Sequence, residues 1–478
     1  MQPELTKEEV YAAAEEAVEN LAEQDGQDAL FPFDYIWQFT SVDVPPLRKP
    51  GCSNYLIKQG YLEKTGKQVN ASTPERAGNL GPEYRLGRRF LPAAPPIPVP
   101  APGDAMPLAP AFEEMEKALA VQGLLIDKAD LANFYLALCV SPLVVLSGIS
   151  GTDKSQMPRR FAQLTGSRFD SVPVKPQWSD NSDLFGYVPS LSPGLFVRGR
   201  FTEVVEAAQA TPSQLAVVLL DEMNLAAVEH YFSDFLSVME TRHKEGGTIK
   251  TDPLPLELPA IVPGQPDSYA ALRTLGLPAN VRVVGTANMD ETTHLFSPKV
   301  LDRAFSIESV PPDLTQFPSS DPQAFDATTF TRLVPRLLDV NNAVSESEAY
   351  AISPELLNEI GALLQEASDV LRPAGISFGY RTRRDVCLYM HFWQKFELAN
   401  ILSASAAMDL CFLQKILPKV QGAGEGLGEA LRKLREWLLT DDDNTSIASS
   451  RPWTRSADKV QRMLARLEAE GATTYWGT

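Results

Sequence analysis

An apolar run at residues 143–146 leads directly into Gly148-Ile149-Ser150-Gly151-Thr152-Asp153-Lys154-Ser155, and residues 156–164 carry the pattern of a helix start. Buried strand, glycine-bearing turn and helix, in that order, point to a layered α/β fold with a sheet covered by helices. The turn departs by one residue from G-x-x-x-x-G-K-[ST], the pattern of loops that bind phosphate. In such a loop, successive backbone N–H groups cradle the phosphates, the lysine neutralises the terminal one, and the serine hydroxyl holds Mg²⁺. Gly148, Ser150, Gly151, Thr152, Asp153, Lys154 and Ser155 are therefore the candidate nucleotide contacts. Asp153 stands where the second glycine belongs, and a carboxylate beside a polyphosphate adds like-charge repulsion at short range.

Composition limits the alternatives. A chain of 478 residues, 44% hydrophobic and 22% charged, has room for two or three globular domains. No apolar stretch reaches the roughly 20 residues that span a bilayer. The start Met1-Gln2-Pro3-Glu4 lacks the basic-then-apolar pattern of a secretion signal, so a cytoplasmic protein without membrane association is expected. Cys52, Cys139, Cys387 and Cys411 are scattered and accompanied by only 4 histidines, which predicts neither disulfides nor structural zinc. The net charge of −18 opposes non-specific nucleic-acid binding by the whole surface. That charge is uneven: residues 1–43 hold 11 acids and 1 lysine, whereas residues 44–92 hold 9 bases and 3 acids. The basic stretch suits either a nucleic-acid backbone or an acidic protein face.

Organisation follows the proline and apolar patterns. Residues 1–91 read as a small mixed domain opened by an acidic amphipathic helix at 3–25. Residues 92–110 hold 8 prolines and read as a semi-rigid linker. Between 111 and 320, strand-like runs at 143–146, 169–174, 216–220, 281–285 and 305–310 alternate with helical segments. From 321 to 478 the pattern is helical, with helices expected at 329–345, 354–371, 382–402, 405–417, 426–438 and 456–470.

Two further strand ends carry chemistry. The run 215–220 leads into Asp221-Glu222. At the C-terminal edge of a parallel sheet, Asp221 is placed to support Mg²⁺, and Glu222 to orient and deprotonate a water attacking a γ-phosphate. The run 281–287 ends in Asn288, placed to position that water; Asn at a strand end is otherwise a turn residue. Arg303 lies at a helix end in Ser297-Pro298-Lys299-Val300-Leu301-Asp302-Arg303, where it either reaches the γ-phosphate of a neighbouring subunit or pairs with Asp302 or another acid.

Together these residues resemble an AAA+ nucleotide hydrolase, with Walker A at 148–155, Walker B at 215–222, sensor 1 at Asn288 and the arginine finger at Arg303. Residues 183–187 and 194–201 resemble the helix-2 insert of McrB, MoxR and dynein-like members, which projects a hairpin toward a ring's pore. Residues 243–280 would suit the pre-sensor-1 hairpin of that clade. Ser377-Phe378-Gly379-Tyr380-Arg381 resembles the sensor-2 region, with Arg381 as nucleotide contact and Arg383 or Arg384 as alternatives. The similarity spans roughly 125–400 and is greatest to McrB-type restriction motors. The sequence departs from them at Asp153 and at Asn288-Met289-Asp290-Glu291, which matches the McrB GTPase signature only in part, so ATP and GTP stay open.

The resemblance implies an AAA+ P-loop core with a C-terminal helical lid and a small N-terminal mixed α/β domain. It implies ATP or GTP with Mg²⁺ bound between subunits of a ring homo-oligomer, a hexamer, in an antiviral restriction system. An McrC-like nuclease or activator subunit is the implied partner, with DNA met through the N-terminal module or the pore. A MoxR-like remodelling chaperone and a non-hydrolysing scaffold are the other open readings. A pore lined by Arg198 and Arg200 would favour nucleic acid, and one lined by Phe196 would favour protein.

Overall fold

The computed structural model describes residues 7–25, 30–40, 49–58, 61–70, 80–86, 108–149, 151–264, 266–288, 294–309, 315, 330, 332–339, 345–440 and 451–476. The chain divides into two compact units: residues 1–95 with 186–199 and 256–269, and the remainder.

The first unit opens with the helix Lys7–Asp25, which buries Val10, Ala13, Ala14, Ala17, Val18 and Leu21. The spacing i, i+3, i+4, i+7 puts these side chains on one stripe, which is what an amphipathic helix needs to join a core. They pack with Phe31 and Tyr84 from a sheet of strands β1 (Leu30–Pro32), β2 (Leu62–Asn70) and β3 (Leu80–Leu86), with Ile36 from the 3-10 helix Phe33–Gln38, and with Leu56 from the helix Lys49–Lys58. The sheet is antiparallel in the order β1-β3-β2. Tyr11 stacks on Tyr55 at 4.0 Å between ring centroids, and the Tyr55 hydroxyl donates to Glu15 at 2.6 Å. The linker expected at 92–110 lies largely outside the described residues, as does the side-chain arrangement of most of the basic stretch 44–92.

The second unit is built on five parallel strands: β4 (Leu143–Gly148), β5 (Arg168–Pro173), β8 (Ala216–Asp221), β11 (Val281–Asn288) and β12 (Phe305–Glu308). Their order is β12-β4-β11-β8-β5. All five strand-like runs of the sequence are strands. The order places Asn288 between the phosphate-loop strand and the acid-pair strand, because β11 pairs on one side with β4 and on the other with β8. Continuous burial along Leu143–Leu146, Ala216–Leu220 and Val281–Ala287 fits strands covered on both faces. Gly285 in β11 allows a close approach: a Cβ there would lie 1.9 Å from the Met223 sulfur.

Two short antiparallel hairpins are also present, one in each unit. Strands β6 (Gly186–Tyr187) and β7 (Val197–Arg198) pair after the helix Ser182–Phe185, and β9 (His243–Glu245) pairs with β10 (Thr248–Lys250). Both fall where the resemblance places hairpins.

Helices dominate beyond residue 330, with two corrections to the sequence reading. Of the helix expected at 329–345, the described residues show Phe330 helical, a turn at Arg332 and a helix at Leu333–Leu338 that stops before Asp339. Pro335 lacks an N–H and is compatible only with a first turn. Ser345 belongs instead to the next helix, Glu346–Ile352, as a capping-box N-cap with Glu348. The helix expected at 382–402 is Tyr380–Lys395, ended where Glu397 takes the left-handed conformation with φ 54°. Helices Pro354–Leu371, Ala404–Lys415, Glu425–Leu439 and Thr454–Glu470 match their expected segments within two residues. Strands β13 (Gln421–Ala423) and β14 (Ala472–Thr474) pair across the last two helices.

Buried lysines fasten the helices to strand β12. Lys415 Nζ, fully buried, meets Asp385 at 2.9 Å and donates to the carbonyl of Ala304 at 2.8 Å. Lys459 Nζ, also buried, meets Glu308 at the strand's other end at 2.7 Å. Replacing Lys415 with Ala takes from the buried Asp385 carboxylate its buried partner and leaves it the half-exposed Arg384, and breaking a buried pair typically costs about 3–5 kcal/mol. Chemical denaturation of Lys415→Ala should show a loss of that order, and a loss below about 1 kcal/mol would contradict the fastening role.

Candidate nucleotide site

The site sits at the C-terminal ends of β4, β8 and β11. The chain runs from β4 outward to β5 and returns on β4's other flank with β12, so β4 is where the strand order reverses. In open parallel sheets, ligands bind in the crevice at such a switch point.

Loop 148–155 emerges from β4 with Gly151 at φ 84°, open space around its Cα, and Asp153 at φ 53°. The left-handed region suits glycine; Asp and Asn enter it with a smaller penalty than bulkier residues. Asp153 therefore keeps the backbone turn that glycine would make, and its exposed side chain carries a negative charge into the loop. Its carbonyl accepts from the N–H groups of Gln156 at 2.9 Å and Met157 at 3.1 Å, which starts the helix Gln156–Leu164.

Lys154 does not pair with its neighbour. Its buried Nζ donates to the loop's own carbonyls, Gly148 at 3.0 Å and Ile149 at 2.6 Å. Burial lowers its pKa, and the charges of Asp221 and Glu222 oppose that shift. Thr152 donates to the Ile149 carbonyl at 2.9 Å, so the loop is folded onto itself. Ser150, a candidate contact, lies outside the described residues.

Asp221 Oδ1 accepts from the Ser155 hydroxyl at 2.6 Å and from the Thr286 hydroxyl at 2.7 Å. Thr286 Oγ1 in turn accepts from the Glu222 N–H at 2.9 Å. Glu222 has φ 53° and ψ 50°, and its carboxylate accepts from Asn288 Nδ2 at 3.0 Å. Asn224 holds the Asn288 carbonyl at 2.8 Å. The structure thus brings Lys154, Ser155, Asp221, Glu222 and Asn288 together. Thr286 and Asn224 are additions that the sequence reading missed. Thr286 was detectable in principle, because it lies two residues before Asn288 and so faces the same side of the strand.

The two candidate arginines lie elsewhere and share one acid. Arg303 meets Glu240 through Nε and NH2, each at 2.9 Å, and Arg381 NH2 meets the same carboxylate. The partner of Arg303 is therefore Glu240, while Asp302 pairs with Lys419. Arg383 pairs with Glu346 and Arg384 with Asp385.

Two of the three residues named for a pore, Phe196 and Arg200, are engaged within the chain. Phe196 is 1% exposed and packs edge-on against Tyr269, so it is a core residue of its hairpin. Arg200 is neutralised by Asp170 and Glu203. Neither presents a free side chain to a pore.

Ser155 Oγ and an Asp221 carboxylate oxygen at hydrogen-bond distance form a hard-oxygen pair, which suits Mg²⁺.

Residues 337–472 match a domain of unknown function (DUF8727). No curated protein matches the chain. Among solved structures, one from Cytophaga hutchinsonii, described as a candidate ATPase, is 16% identical with a TM-score of 0.39, covering 64% of this chain and 85% of its own. At that level the neighbour's description stays with the neighbour. No helix among the described residues is long and apolar enough to cross a membrane.

Thr286→Val keeps the side chain's shape but leaves the Glu222 N–H without its acceptor and Asp221 with one donor fewer. Loss of a buried partner costs about 1–3 kcal/mol. Thermal or chemical unfolding should report a loss in that range, and an unchanged midpoint would show that the bridge contributes nothing.

Proposed function

We propose that this chain is a nucleoside triphosphatase subunit of AAA+ type. The observation that supports this reading best is the convergence of three parallel strand ends through Ser155–Asp221, Asp221–Thr286 and Glu222–Asn288. A nucleotide's phosphates would lie along the N–H groups of loop 148–155. Lys154 would swing from its two carbonyl partners to the terminal phosphate. Ser155 and Asp221 would hold Mg²⁺, whose charge would offset that of the phosphates.

The protein's own part in hydrolysis rests on Glu222. Its left-handed backbone and the Asn288 amide fix where the carboxylate points. From there it orients a water in line with the γ-phosphate and accepts the water's proton as the P–O bond breaks. Arg303, with Arg381, would stabilise the developing charge on the nucleotide of a neighbouring copy.

Within that activity we favour a motor subunit resembling McrB-type restriction systems, using ATP or GTP in a hexameric ring with an McrC-like nuclease partner. The support is the sequence resemblance together with hairpins at 186–198 and 243–250. A nucleotide-gated scaffold is the second reading. It draws on the negative charge of Asp153 and on a Lys154 already satisfied by carbonyls.

Binding of labelled ATP and GTP, with phosphate release, tests the reading. Lys154→Ala should abolish binding. Glu222→Gln should keep binding and lower turnover by about 10²–10⁴-fold. Asp153→Gly should bind about tenfold tighter, an effect of about 1.4 kcal/mol. Turnover insensitive to Glu222→Gln would refute the assigned base, and equal binding by wild type and Asp153→Gly would remove Asp153 from the account.

A further inference from the structure

Glu240 lies in the turn Met239–Thr241 that follows the helix Ser233–Val238, outside every motif singled out in the sequence. Its carboxylate receives two guanidinium groups from different parts of the fold. Arg303 comes from the turn before β12 and Arg381 from the first turn of the helix Tyr380–Lys395. The three side chains are 31%, 17% and 35% exposed, so the cluster is half-buried and solvent can reach it. Two cations on one anion leave a local charge of +1.

The contacts of Arg303 divide into two kinds. The carbonyls of Leu236 at 3.1 Å and Lys299 at 2.7 Å aim the guanidinium, and the Glu240 carboxylate neutralises it. Removing the charge of Glu240 would therefore leave Arg303 aimed. The elements carrying both arginines are also tied together from behind: Lys419 Nζ reaches the Asp302 carboxylate at 2.5 Å and the Thr382 hydroxyl at 2.6 Å, each residue adjacent to one of the arginines. The pair is thus a fixed, two-pronged anion receptor whose present occupant is a carboxylate from its own chain.

We propose that Glu240 is a stand-in anion that holds Arg303 and Arg381 until a phosphate presented by a second copy of this chain displaces it. The proposal rests on the reading of Arg303 as a cation acting on a neighbour's nucleotide. Among the described residues, no bond of either arginine goes to loop 148–155, Asp221 or Glu222 of the same chain. A γ-phosphate spreads more charge over three oxygens than a carboxylate does over two, and bidentate arginine–phosphate contacts are strong. Glu240 must then leave, since its charge would repel the arriving phosphate. The exchange makes subunit association conditional on nucleotide.

The test uses the full chain, Mg²⁺ and slowly hydrolysed ATP and GTP analogues. Self-association is followed by sedimentation across a protein dilution series, with labelled-nucleotide binding measured in parallel on dilute protein. Glu240→Gln and Glu240→Ala should each lower the protein concentration for half-maximal nucleotide-dependent assembly by about threefold or more. Nucleotide affinity of the dilute protein should not change, and adding Arg303→Ala should erase the gain. An assembly midpoint that stays put or rises, with nucleotide still bound, overturns the role of Glu240 alone. Loss of cooperative melting in both variants would make Glu240 a structural strut and also overturn it. Absence of nucleotide binding by both wild type and Asp153→Gly would instead bring down the reading of loop 148–155, and this proposal with it.

Discussion

One carboxylate oxygen, Asp221 Oδ1, joins the three chain segments on which the site depends. It accepts from Ser155, which ends the phosphate-type loop, and from Thr286, which lies in the strand between the loop's strand and the acid pair's. Without this junction, the ends of β4, β8 and β11 would be near one another only through backbone pairing. With it, a change at Ser155 is felt by Thr286, and through the Thr286 hydroxyl by the Glu222 backbone. Glu222 sits in a left-handed conformation that costs a non-glycine residue about 1–2 kcal/mol. Strain of that kind persists where neighbouring bonds over-determine the backbone.

Much of the sheet was legible because its strands are buried on both faces and so read as unbroken apolar runs. The runs at 143–146, 216–220 and 281–285 needed no alternation to be recognised, and each ended in a residue of the site. Strand order was not legible, since no run specifies its neighbour. The helical half was legible where amphipathic stripes were strong, as in Pro354–Leu371 and Thr454–Glu470. It was misread at 329–345 and 382–402, where Pro335, the Ser345 cap and the left-handed Glu397 override the apolar pattern.

The site was legible where a motif fixes spacing and illegible where three-dimensional pairing decides. Lys154, Ser155, Asp221, Glu222 and Asn288 could be named from the sequence because each ends a strand or opens a helix. The orientation of Lys154 toward Gly148 and Ile149 could not, since it depends on how the loop closes. Glu240 lies 63 residues from Arg303 in a segment without repeats or motifs, and nothing local marks it. Phe196 and Arg200 show the reverse error: residues with suggestive chemistry became a core aromatic and a locally neutralised cation once their neighbours were known.

The lysines that secure the helices to β12 have a mechanical consequence. Lys415 and Lys459 bury their ammonium groups at the two ends of the same short strand. Swinging the helices away from the sheet would break the Lys415–Ala304 and Lys459–Glu308 contacts at once, whereas a rotation of sheet and helices together disturbs neither. The second unit is therefore stiff about β12, and a displacement of its last helices carries the strand with them.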